Sequence, residues 1–157
     1  MANVTVDISD AKVSGDPDCV LVTYALGSCI AVMCYDPVVK VGGMIHFMLP
    51  FSKTAPEKAV LRPAMFCDTG VPALFESLYK LGAKKANIVV KVAGGGQLWD
   101  DRGTFDIGRR NYTALRKLFW VNGILIAAED VGGNLSRTAR LYLIDGKVTV
   151  ASKGCEV

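Results

Sequence analysis

The chain has 157 residues, enough for one domain with a real core, and its 51% hydrophobic and 21% charged composition excludes a disordered chain. A net charge of +3 is too small to argue for nucleic acid. No apolar run reaches the length of a membrane span, and residues 1–10 lack the basic stretch and apolar core of a signal peptide. Five cysteines at irregular spacing argue against a disulfide framework. With no leader in view, they point to a reducing cytoplasm.

Residues 4–8 alternate apolar and polar, as a half-buried strand does. Residues 20–26 form a second strand ending at Gly27-Ser28, and residues 29–35 a third closed by Asp36-Pro37. Residues 41–49 form a fourth, closed by Pro50. The period then changes. Val71, Leu74, Phe75, Leu78 and Leu81 share one helical face, with Asp68 as cap, Pro72 in the first turn and Gly82 at the exit. Residues 87–92 read as a buried strand leading into Gly94-Gly95-Gly96. A second helix covers 105–121, capped by Asp106, burying Leu115, Leu118 and Phe119, and stopped by Gly123. A strand follows over 124–128. The tail reads as a hairpin of 139–144 and 147–151 around Asp145-Gly146. The expectation is a strand-rich α/β domain, 1–157, with two helices and no repeat or linker.

His46 is the only histidine, so any imidazole base must be His46. A short link between 29–35 and 41–49 implies an antiparallel hairpin. A loop over 37–40 places Cys29 opposite Met48. A loop over 36–39 places Cys29 opposite His46, and a bulge at Gly42-Gly43 shifts the register by one. Each alternative brings His46 within two residues of the position facing Cys29. By position alone, His46 reads equally well as a core histidine. The Gly27-Ser28 turn favours the other reading, since it can expose Cys29 at a strand end and offer amides to an oxyanion. An imidazole nearby makes a thiolate, and a third group must orient that imidazole. Thr23 is the candidate orienter; otherwise it is an ordinary β-branched strand residue.

These residues resemble the chemoreceptor glutamine deamidase CheD family. The resemblance lies in residues 21–32, holding Thr23 and Gly27-Ser28-Cys29, with Asp36-Pro37 after them. It continues through Gly42-Gly43-Met44-Ile45-His46-Phe47-Met48-Leu49-Pro50 and Lys91-Val92-Ala93-Gly94-Gly95-Gly96. Ile107-Gly108-Arg109-Arg110-Asn111, Glu129-Asp130-Val131-Gly132-Gly133, Arg137 and the closing hairpin complete it. The resemblance implies a Cys29–His46–Thr23 triad that converts glutamine of methyl-accepting chemotaxis receptors to glutamate. It also implies a layered α/β/β fold similar to the catalytic domain of cytotoxic necrotising factor toxins, and a CheC-type phosphatase as second partner. Gly27 and Ser28 are the expected substrate-binding positions, with the Cys29 amide and the Ser28 hydroxyl as oxyanion donors. Gly96, Ala93, Trp99 and Asp100-Asp101-Arg102 depart from the family pattern and bear on substrate or partner contacts.

Other signals are set aside. Gly94-Gly95-Gly96 lacks the Gly-Lys-Ser/Thr of a phosphate loop, and one histidine with scattered thiols does not make a zinc site, so no cofactor or metal is expected. Arg109, Arg110, Arg116 and Lys117 form a basic helix face, solvated or apposed to acidic receptor surface. Two further functions stay open: a binding module acting through the phosphatase, and a hydrolase or transglutaminase for other amides. A monomer is expected when unbound.

Overall fold

The strand Ile30–Asp36 is buried at every position because it is covered on both faces. Ile30, Val32 and Cys34 pack towards helices, whereas Ala31, Met33 and Tyr35 pack towards a second sheet. A strand of this kind has no polar face and reads as a continuous apolar run. It is the centre of a three-layer α/β/β arrangement. The computed structural model describes residues 2–97 and 106–154, with side chains through residue 152.

In chain order the strands are β1 (Ala2–Thr5), β2 (Asp10–Ser14), β3 (Cys19–Leu26), β4 (Ile30–Asp36), β5 (Val41–Phe47), β6 (Val89–Gly94), β7 (Ile126–Val131), β8 (Leu135–Tyr142) and β9 (Val148–Gly154). The middle layer has the order β2-β5-β4-β6-β7 and the outer layer β1-β3-β8-β9. Both sheets are mixed: β1–β3 and β6–β7 are parallel pairs and the rest antiparallel. The third layer holds α1 (Pro56–Leu61), α2 (Cys67–Lys80) and α3 (Ile107–Val121). α2 buries Val71, Leu74, Phe75 and Leu78, and α3 buries Ala114, Leu115 and Phe119. Phe75 meets Phe119 edge-on, with ring centroids 6.2 Å apart.

The layered fold and the two long helices match the sequence expectation; several boundaries do not. The single strand expected at 4–8 is β1, which ends at Thr5, and the chain then turns at Ser9 (φ 61) into β2, an unexpected edge strand of the other sheet. α2 begins at Cys67, so Asp68 lies inside its first turn and Pro72 in its interior. The Asp68 carboxylate instead accepts from Ser52 N and Ser52 Oγ. The third, short helix α1 and its flanking 3-10 turns fill the expected loop after Pro50. α3 begins at Ile107, with Asp106 at the N-cap position in left-handed conformation (φ 45), and Phe105 lies outside the described residues. Trp99 and residues 100–102 lie outside them as well. β6 starts and ends two residues later than expected, behind a 3-10 turn at Lys85–Asn87. The closing hairpin is longer, and Gly146 (φ 79) supplies its turn by donating to Tyr142 O.

Candidate active site

β4 and β5 form the expected hairpin. Its register pairs Asp36 with Val41 and Ile30 with Phe47, so the loop is 37–40 and His46 lies opposite Ala31. The loop is set by the buried Asp36 carboxylate, which accepts from Val38 N, Val39 N and Lys84 N. Met44 packs between the two sheets, and residues two apart on a strand share a face. His46 therefore points between the sheets, as does its partner Ala31.

Cys29 precedes β4 in a bend, Gly27–Ser28–Cys29, by which the chain leaves β3 in one sheet and enters β4 in the other. It is half-buried and packs against the same inter-sheet cluster. Cys29 is thus two residues before the partner of His46, on the same side of the middle sheet. The bend is held from behind. Gly96 N donates to Gly27 O at 2.8 Å and Gly95 N to Cys29 O at 2.9 Å. Gly94 has φ 111, and a Cβ there would stand 2.3 Å from Cys29 O, so only glycine allows this approach. The triple-glycine segment therefore braces the Gly27–Cys29 bend. Arg137, almost fully buried, braces it in turn by donating to Gly94 O at 3.3 Å and Gly132 O at 2.8 Å, with Asp130 at 3.4 Å.

Thr23 lies on β3, so it reaches His46 from the opposite sheet rather than from a neighbouring strand. Thr23 Oγ1 is 2.8 Å from His46 Nδ1 and 2.6 Å from Val6 O. A carbonyl can only accept, so the one hydroxyl proton goes to Val6 O. The hydroxyl lone pair then takes the Nδ1–H, and the tautomer is fixed with the free lone pair on Nε2. Nε2 is buried and has no hydrogen-bond partner among the described residues.

Burial dominates the electrostatics. It pushes the Cys29 thiol up to about 11, with its own backbone N–H pulling the other way. It lowers the His46 imidazole to about 4, against the opposing field of Asp7. At neutral pH both groups are therefore uncharged at rest. Cys19, Cys34 and Cys67 are buried thiols, all raised by desolvation, Cys67 to about 12. Among the described residues no three His, Cys, Asp or Glu side chains cluster to hold a metal, and no helix is long and apolar enough to cross a membrane. A cleft of about 530 Å³ between β2, α1 and α2 is lined by neither Cys29 nor His46.

The model of a family described as CheD chemotactic sensory transduction matches residues 48–152. A protein of Syntrophus aciditrophicus named "Probable chemoreceptor glutamine deamidase CheD 1" is 53% identical, covering 98% of this chain and 96% of its own. "Probable chemoreceptor glutamine deamidase CheD 2" of Anaeromyxobacter dehalogenans is 52% identical over 97% and 96%. The chain belongs to the CheD family. A solved structure, the Bacillus licheniformis hypothetical protein YfiH, superposes with a TM-score of 0.44 and 14% identity over 77% of this chain and 49% of that one. In this CheD family member Asn111, named in the sequence only within the Ile107–Asn111 resemblance and given no role there, is a fully buried α3 side chain that donates to Ser28 O at 3.0 Å and Met48 O at 2.8 Å. A signal for it was present: Asn111 is a polar residue on the stripe formed by Gly108, Ala114, Leu115 and Phe119.

Proposed function

We propose that this chain hydrolyses the side-chain carboxamide of glutamine in chemoreceptor cytoplasmic domains, giving glutamate and ammonia, with Cys29 as nucleophile, His46 as base and Thr23 as orienter. The observation that carries the reading is the chain from Val6 O through Thr23 Oγ1 to His46 Nδ1, which leaves Nε2 unpartnered on the side of the middle sheet where Cys29 packs. The names of the relatives supply the substrate class.

Nε2 accepts the thiol proton as sulfur attacks the carboxamide carbon. A neutral pair needs no standing ion pair, so charge appears only as the C–S bond forms. The carbonyl oxygen becomes an oxyanion, for which the N–H of Cys29 and the turn residues Gly27 and Ser28 are the proposed donors. The C–N bond breaks, and the proton on Nε2 leaves with ammonia. Water then attacks the thioester, giving its proton to Nε2, and the C–S bond breaks to release glutamate. The returning proton restores the thiol. Only water is consumed, so the reaction needs no cofactor.

Receptor substrates make the cytoplasm the proposed compartment. A CheC-type phosphatase is the proposed second partner of a protein that is monomeric when unbound. Ammonia release from a receptor fragment tests the reading: Cys29→Ser and His46→Ala each abolish it while the melting temperature holds. Undiminished release from both variants contradicts it. If the binding role were the chief one, Cys29→Ser would bind and stimulate the phosphatase as the parent does.

A further inference from the structure

Three successive carbonyls in the nucleophile bend accept hydrogen bonds from outside it. Gly27 O and Cys29 O are held by the backbone N–H groups of Gly96 and Gly95. Ser28 O is held by a side chain alone, the Nδ2 of Asn111 at 3.0 Å. The distinction has a chemical consequence. In a planar trans peptide the C=O of one residue and the N–H of the next point in opposite directions. Whatever holds Ser28 O therefore aims the N–H of Cys29, the amide of the nucleophile itself.

We propose that Asn111 is a positioning residue for the reaction, fixing the Ser28–Cys29 peptide so that the Cys29 N–H faces the oxyanion. The inference rests on the hydrolytic reading given above. Asn111 is fully buried, and both Nδ2 hydrogens are used, the second on Met48 O at 2.8 Å. Met48 is two residues beyond His46, so one carboxamide ties the bend of the nucleophile to the end of the strand that carries the base. The amide orientation is settled by chemistry, because turned over its oxygen would face two carbonyl oxygens. Asn111 Oδ1 is buried with no partner among the described residues. A residue chosen only for packing would carry no such cost on the stripe of Ala114 and Leu115. Among the described residues, the N–H groups of Ser28 and Cys29 meet no acceptor elsewhere in the chain.

The test compares parent, Asn111→Leu and Asn111→Asp in the full chain, using a purified receptor cytoplasmic fragment for deamidation and iodoacetamide for alkylation of Cys29. Alkylation generates no oxyanion. For Asn111→Leu the expected result is a kcat loss of about 100-fold with KM within about threefold, and alkylation within about threefold of the parent. A kcat near the parent value, or alkylation falling in step with kcat, overturns the inference. Asn111→Asp decides the matter if the leucine variant does not fold. Protonated, its carboxyl donates to one carbonyl; ionised, it only repels Ser28 O. Its kcat should therefore rise as pH falls from 8 to about 5.5, where the parent shows no such rise. The parent pH profile in this variant also overturns the inference. A parent protein that releases no ammonia would instead contradict the hydrolytic reading.

Discussion

Thr23 Oγ1 lies 2.8 Å from His46 Nδ1 across the space between the two sheets, while its own proton is engaged by Val6 O at 2.6 Å. One buried hydroxyl thus sets the tautomer of the only histidine and joins β3 to β5. Thr23→Val keeps the shape but leaves the Nδ1–H and the Val6 carbonyl unpaired. The expected outcome is a kcat reduction of about 100-fold in ammonia release, with Thr23→Ser retaining most activity. Steady-state kinetics of the two variants check this, and equal losses would show that the hydroxyl is immaterial.

The resting protonation states are open to a direct assay. Burial holds the Cys29 thiol near 11 and the His46 imidazole near 4. In the absence of substrate, the iodoacetamide rate should rise with pH up to and beyond about pH 10. A plateau already reached at pH 7 would reveal a preformed thiolate–imidazolium pair instead.

His46 also couples stability to pH. Its folded value, about 4, lies below the ordinary 6.5, so between these pH values the unfolded chain binds more protons than the folded one. Stability then rises with pH across that window and is lost as pH falls from 6.5 towards 4. The full cost is about 3 kcal/mol below the window, from about 1.4 kcal/mol per unit. Urea unfolding at several pH values checks it, and His46→Gln should flatten this part of the profile.

Arg137 should matter to stability first and to activity through it. Its guanidinium spans Gly94 O and Gly132 O, and no other side chain of its size offers donors in that fork. Arg137→Met leaves Gly132 O unsatisfied, while Gly94 O keeps the Gly132 N–H at 2.9 Å, and should cost about 2 kcal/mol in urea unfolding. Arg137→Lys should recover little of this, since an ammonium is a point donor. Full recovery by lysine would mean that charge alone is required.

The hairpin that brings Cys29 towards His46 is legible in the sequence because the loop is short and Asp36-Pro37 punctuates it. The choice between its two registers is not, since it depends on the Asp36 carboxylate collecting N–H groups from Val38, Val39 and the distant Lys84. Thr23 can be named as a candidate, but its route to His46 cannot. Gly27–Cys29 has the look of a turn between adjacent strands and is in fact a passage between sheets. β2 escapes notice because Asp10-Ala11-Lys12-Val13-Ser14 has low strand propensity and owes its conformation to pairing with β5. Asn111 shows as a polar residue on an apolar stripe, within the Ile107–Asn111 resemblance but without a role; its two carbonyl partners lie 83 and 63 residues away.

The central claim is that Cys29 and His46 carry out hydrolysis of receptor glutamine. Mass spectrometry of a chemoreceptor cytoplasmic fragment, incubated with the protein in ¹⁸O-labelled water, tests it most directly. The account predicts that specific glutamines become glutamate carrying one labelled oxygen, and that Cys29→Ser and His46→Ala leave the fragment unchanged. Glutamate formation undiminished in the Cys29→Ser protein would contradict it.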